Sequence, residues 1–376
     1  MKYKEQVKNL MNKYNYVGVA TMVMDNNNIY TSCNGYSDLD KKTAITEDSI
    51  FRIASISKVI VALGIMKLYE EHKVDIKEDI SVYLGYNVRN PHFPCAKITL
   101  EMLMTQTSSI SDGADNVKGY DGVNGTKKEI KLRDLLTNPQ FEYYLDKTFN
   151  NVLPGSTFEY SNFGCGILAC IIEKVSGVYF SDYIRDKILL PLDIDGSYRI
   201  SDIVHKDRVV TLYDYDEKEN KFILSRNLDM FLKYEYPRYS LGDNFRMPAG
   251  GLFISLNDLS KIMKMMMDYG VYKKVRIFQP STIEFMKEVH WHGISDDPQY
   301  KKKGLQLLIL EGYGEPLYGH FGNAYGLRSY MLFGQTRGYI FLCNGANFGY
   351  IKEKGITDIQ EDVLNFMTKY QGDKND

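Results

Sequence analysis

Phe51-Arg52-Ile53-Ala54-Ser55-Ile56-Ser57-Lys58 leads into an apolar run, Val59, Ile60, Leu63, Ile65, Met66 and Leu68, that stops at Glu70-Glu71-His72-Lys73. This recurrence predicts a helix beginning near Ser55 or Ile56. Ser55 then opens the helix and Lys58 lies one turn later, so the two side chains can meet on one face. A serine hydroxyl is a poor nucleophile until a neighbouring base takes its proton. A lysine beside an apolar wall can lose its proton near neutral pH, and a helix N-terminus favours developing negative charge. The pattern Ser-x-x-Lys nevertheless arises about once by chance in a chain of this size. By itself it more often describes a helix cap and a solvated lysine than an active site.

Two further stretches change its weight. Tyr160-Ser161-Asn162 follows Pro154-Gly155-Ser156-Thr157 and precedes an apolar helix carrying Ile167, Leu168, Ile171 and Ile172. A phenol in such a loop can carry a proton, and Asn162 can hydrogen-bond a substrate amide, although Tyr-Ser-Asn alone is more often a cap. His320-Phe321-Gly322-Asn323 lies among Gly319, Gly322 and Gly326, just ahead of a strand. Glycine lets a substrate approach the backbone, where main-chain N–H groups can bind an oxyanion; a lone histidine there is usually structural.

Together, Phe51 to Lys58, Pro154 to Asn162 and Gly319-His320-Phe321-Gly322 resemble the three motifs of the class C β-lactamase-related serine hydrolases and penicillin-binding proteins. Lesser matches are Ile98-Thr99-Leu100 through Leu103-Met104-Thr105-Gln106-Thr107-Ser108, and Pro248-Ala249-Gly250-Gly251-Leu252. The resemblance runs from about Gly35 to Asn344. It implies a β-lactamase/transpeptidase-like α+β fold with an active site between its two lobes. Carried over by residue, it implies Ser55 as acylated nucleophile, Lys58 as its activating neighbour and Tyr160 as proton shuttle to the leaving group. Asn162, His320, Gly322 and Asn323 would bind substrate, and the backbone N–H groups of Ser55 and Asn323 would form the oxyanion hole. Whether Lys58 or Tyr160 is the base stays open.

His320 stands where many β-lactamases carry lysine, and a neutral imidazole holds a carboxylate less firmly. The expectation is therefore a serine hydrolase of an ester, amide or D-amino-acid peptide, esterase-like or DD-peptidase-like, with at most weak β-lactamase activity. The alternative is a penicillin-binding or sensor protein that acylates without turnover or only binds ligand. Gln106 replaces a common histidine, and Ser108-Ser109-Ile110 stands where relatives often have Ser-Gly-Leu; both changes are expected at the pocket rim.

Outward from these motifs, Val7, Leu10, Met11 and Tyr14 predict an N-terminal helix. Apolar runs at 17–24 and 29–35 predict a hairpin across Asp25-Asn26-Asn27-Asn28. Strands are expected at 305–310, 327–333 and 339–344, and a helix over 357–370 capped by Thr357 and Gln360. Strands at both ends with helices between predict a discontinuous α/β sheet lobe, residues 1–80 and 248–376, flanked by the N- and C-terminal helices. A mainly helical lobe, 81–247, is inserted into it.

With 376 residues, 44% hydrophobic, the chain can bury a large core. Its 46 Lys and Arg against 48 Asp and Glu are interspersed, so no basic field for nucleic acid arises. The five cysteines form no disulfide framework: Cys165 and Cys170 fall on different faces of one helix, as reduced thiols would. His290 and His292 bracket Trp291 without a Cys or carboxylate cluster, so no metal is expected, and the acyl-transfer chemistry requires no cofactor. No stretch suits a transmembrane span, and the run at 17–24 lacks a small-residue cleavage site, which favours a cytoplasmic protein. The expected partner is a small-molecule or peptide substrate; the sequence carries no sign of oligomeric state.

Overall fold

Successive side chains of a strand point to opposite faces, and β1 (Gly18–Asp25) is apolar on both. Val19 and Val23 enter one core, and Ala20, Met22 and Met24 the other. In a computed structural model, which describes residues 2–25, 28–295 and 298–372, this strand lies inside a nine-stranded antiparallel sheet. The sheet's other strands are β2 (Ile29–Asp38), β3 (Thr43–Ala44), β4 (Trp291–His292), β5 (Lys302–Lys303), β6 (Leu308–Tyr313), β7 (Glu315–Ala324), β8 (Leu327–Phe333) and β9 (Arg337–Cys343). They run in the order β4-β5-β6-β7-β8-β9-β1-β2-β3. β1 pairs with β9, Val19 opposite Cys343 and Asp25 opposite Arg337, and with β2 on its other side. The sheet is thus built from both ends of the sequence. Asn26 and Asn27, at the expected tip of the β1–β2 hairpin, lie outside the described residues.

The terminal helices cover one face of this sheet. Helix Tyr3–Met11 buries Tyr3, Val7 and Met11. Helix Asp358–Lys369 buries Ile359, Val363, Leu364 and Met367, and starts at the expected Thr357–Gln360 capping box. Against the other face packs helix Leu256–Met267, whose Met263 and Met266 share a core with Met22, Ile340 and Leu342.

Helix Ser57–Glu70 is apolar nearly all round, as a helix enclosed by others must be. It crosses helix Asn162–Ser176 closely: a Cβ on Gly64 would lie 2.7 Å from Ile184 and 2.8 Å from Ile172 side-chain atoms. The α-helix starts slightly later than its apolar period suggests. Ala54–Ile56 forms a 3-10 turn ahead of it, so Ser55 sits in the turn.

Two other features depart from expectation, the first a strand pair inside the lobe expected to be mainly helical. The polar stretch near 214–220 forms a hairpin, Leu212–Asp216 with Lys221–Arg226, because Asp216 accepts the Lys218 and Glu219 N–H groups and so closes a tight turn. His320-Phe321-Gly322 lies within β7, paired to β8 from Tyr318 to Ala324, rather than in a glycine loop before a strand. All five cysteines are free thiols. Among the described residues no single helix is long and apolar enough to cross a membrane.

Candidate active site

The turn that carries Ser55 is held from two sides. Ile53 N–H donates to the Leu252 carbonyl (3.0 Å). Ser57 Oγ donates to the Ala54 carbonyl (2.6 Å) and accepts from Leu252 N–H (3.1 Å). Tyr198 O–H donates to the Ser57 carbonyl (2.7 Å). These bonds fix Ala54 at φ 50°, a left-handed conformation costly for a residue with a Cβ. Pro248-Ala249-Gly250-Gly251-Leu252 is therefore the strap that fixes the turn carrying Ser55.

Two groups converge on Ser55 Oγ: Tyr160 O–H donates at 2.6 Å and Lys58 Nζ at 3.1 Å. Lys58 Nζ also donates to Asn162 Oδ1 (2.8 Å) and the Ala249 carbonyl (3.0 Å), so its three N–H donors meet three acceptors. It lies 4.7 Å from the centre of the Tyr160 ring. Asn162 is oriented in turn by Asp112. That carboxylate accepts from Asn162 Nδ2 (2.7 Å), Ser161 Oγ (3.1 Å) and Phe163 N–H (2.8 Å). A carboxylate only accepts and the lysine here donates, so the amide must present its nitrogen to Asp112 and its oxygen to Lys58. Ser161 also caps helix Asn162–Ser176 by accepting from Gly164 N–H (2.9 Å). The Tyr160 loop is pinned where Glu159 N–H and Gly155 N–H donate to the Gln106 (2.8 Å) and Thr107 (2.7 Å) carbonyls.

β7 closes the opposite side. A Cβ on Gly322 would lie 2.5 Å from the Ile53 carbonyl oxygen and would also strike Ser329 Oγ, so only glycine lets β7 approach the Ser55 turn this closely. Ser55, Tyr160, Asn162 and Asn323 together line a cavity of about 660 Å³. The Asn323 side chain itself accepts from Gln360 Nε2 (3.0 Å).

His320 and Gly322 stand behind this wall. His320 is 1% exposed, its ring centre 6.2 Å from that of Tyr160 and its Nδ1 2.5 Å from the Phe321 carbonyl. Burial, reinforced by the Lys303 and Lys58 charges, pushes its pKa well below the usual range, so the imidazole is neutral.

A family model described as Beta-lactamase matches residues 4–351. The chain belongs to the Beta-lactamase family. Penicillin-binding protein 4* of Bacillus subtilis (strain 168) is 26% identical over 224 residues, which cover 58% of this chain and 46% of that protein. The match thus spans about half the length of that relative. The octameric penicillin-binding protein homologue from Pyrococcus abyssi superposes with a TM-score of 0.69 at 24% identity, over 91% of this chain and 72% of that one. D-amino acid amidase from Ochrobactrum anthropi SV3, complexed with L-phenylalanine amide, gives 0.72 at 19% identity over 96% and 94%. Both share the fold of this Beta-lactamase family chain.

Three parts of this Beta-lactamase family site hold roles that the sequence did not assign. Two are Asp112 and the carbonyl of Ala249, a residue matched only within the lesser Pro248-to-Leu252 motif. The third is Lys303, which follows Lys301 and Lys302 and so reads as one of a solvated basic run, yet turns inward on β5. Its amine is wholly buried, 5.0 Å from the centre of the Tyr300 ring and 5.9 Å from that of Phe158, with no hydrogen-bond partner among the described residues. Burial, helped by the Lys58 charge, pushes its pKa down to about 7.

Gln106 and Ser109 are buried beneath the site rather than placed on a pocket rim. Both have left-handed backbones, φ 62° and 64°. Ser109 holds, at that cost, a conformation natural to glycine, with Asn90 Nδ2 donating to its hydroxyl (2.9 Å). His290 is engaged by Glu101 (2.7 Å) and the Phe285 carbonyl (2.8 Å).

Proposed function

We propose that the protein is a serine hydrolase that forms an acyl-enzyme at Ser55 and releases the acyl group to water. The observation that carries this reading is the convergence of Tyr160 O–H and Lys58 Nζ on Ser55 Oγ at one end of an open cavity. With one of Tyr160 and Lys58 deprotonated, Ser55 Oγ attacks the acyl carbon while its proton passes to that group, the choice of base between the two staying open. The same pair returns a proton to the departing oxygen or nitrogen. Asn323 and the Ser55 turn face the place where the carbonyl oxygen gathers charge, and their main-chain N–H groups would stabilise it. Water then enters by the same route and attacks the acyl carbon as the pair takes its proton, and the pair returns a proton to Ser55 Oγ as the acyl–oxygen bond breaks.

The acyl donor is an ester or an amide, including those of D-amino acids, with at most weak turnover of β-lactams. The neutral, enclosed His320 supports this, since it supplies no cation for a substrate carboxylate from β7. A D-amino acid amidase with this fold points to amides as well.

The test is turnover of 4-nitrophenyl acetate and D-phenylalanine amide by the wild type and by Ser55→Ala. Loss of all turnover, with loss of fluorophosphonate labelling, is the expected result. Turnover that survives Ser55→Ala would overturn the assignment. A wild type that is labelled yet turns nothing over would make this a non-hydrolysing penicillin-binding or sensor protein.

A further inference from the structure

Tyr325 and Gly326 make the two-residue turn between β7 and β8, with φ of 53° and 81°. Such turns are ordinarily Asn-Gly or Asp-Gly, because a bulky residue is strained at the first position. The turn is wedged against the Leu212–Asp216 hairpin strand, where any Cβ on Gly326 would strike the Tyr213 carbonyl. The strain maintains a phenol ring in the wall of the cavity that holds Ser55.

Two guanidinium groups stack on that ring: Arg226 at 4.2 Å and Arg52 at 5.0 Å from its centre. Both line the cavity, Arg52 at the end of strand Ile50–Arg52 and Arg226 at the end of strand Lys221–Arg226. Neither has a carboxylate partner among the described residues. Arg226 gives one N–H to the Ser225 carbonyl (2.7 Å), and Arg52 gives none.

Other charged groups in the wall are committed elsewhere. Arg246 donates to the Thr126 (2.5 Å) and Lys128 (2.8 Å) carbonyls. Glu235 accepts from Arg199 (2.7 Å). Asp121, on helix Gly119–Val123, is pushed up in pKa by burial and by Asp112, which disfavours its charge. Stacking on an aromatic face fixes a guanidinium while leaving its N–H edge open for a bidentate acceptor.

We propose that Arg52, Tyr325 and Arg226 form an anion subsite, so that the reaction at Ser55 acts on a substrate carrying a carboxylate or phosphate group. This inference rests on the serine-hydrolase reading and narrows its substrate.

Matched esters test it: mono-4-nitrophenyl glutarate against 4-nitrophenyl valerate, and phenyl acetates bearing a meta carboxylate or a meta phosphate against phenyl acetate itself. The wild type should prefer at least one anionic ester, and the acid preferred separates carboxylate from phosphate. Arg226→Gln and Arg52→Gln should each lower the anionic-to-neutral ratio of kcat/KM about tenfold, the worth of one charged hydrogen bond, and Arg226→Lys should lower it less. Turnover without anionic preference, or a ratio unmoved in Arg226→Gln, overturns the subsite and leaves the hydrolase reading standing. If no ester is turned over, protection of Ser55 from fluorophosphonate by glutarate but not glutaramide still reads the subsite. Protection lost in Arg226→Gln supports it while the hydrolase reading fails; equal protection by both overturns it.

Discussion

Asp112 neither touches Ser55 nor lines the cavity itself, yet the position of Lys58 depends on it through Asn162. Asp112→Asn puts an amide donor where three N–H and O–H groups now find acceptors. Bonds to a charged acceptor contribute about 1.5–3 kcal/mol each. Ester turnover should fall by about 10- to 100-fold and stability by about 2 kcal/mol. Steady-state kinetics beside urea unfolding would measure both, and unchanged kinetics would remove Asp112 from the site. That Ser55, Lys58 and Tyr160 meet was legible in the sequence because each lies in a compact motif. Asp112 was not: it is isolated in a polar loop, and only the fold brings it within 2.7 Å of Asn162.

Among the elements, β7 and the Ala54–Ile56 turn face each other across Gly322, with no room for a methyl group. Gly322→Ala should push the strand back and slow fluorophosphonate labelling of Ser55 at least tenfold, while far-UV circular dichroism stays near that of the wild type. Labelling at the wild-type rate would mean that this approach is not needed. Helices and strands with an apolar run or stripe were readable directly, as in the runs of Ser57–Glu70 and β1 and the stripe of Asp358–Lys369. β7 was not, since Gly319 and Gly322 break its alternation and their reason is the neighbour they admit. The Leu212–Asp216 and Lys221–Arg226 hairpin was masked in the same way by its charged turn.

At the scale of the whole molecule, Lys303 places a lone amine in the interior, with a pKa of about 7 against the ordinary 10.5. Between those values the unfolded chain binds more protons than the folded one, so stability rises with pH across that window. Below about pH 7 the cost of burying the charge is carried in full. Lys303→Met should therefore be more stable than the wild type at neutral and acid pH, and should lose most of the slope between pH 7 and 10.5. Urea unfolding across that range measures it; a slope that persists would show that the amine is not the cause.

The placement of β1 between β9 and β2 also bears on how the protein is made. Val19 waits for Cys343, more than three hundred residues downstream, before its second edge is covered. At roughly 5–20 residues per second on a ribosome, that exposure lasts some tens of seconds. An open, largely apolar strand edge is a template for pairing with other chains, so β1 is the segment at which a holdase should bind a nascent chain first.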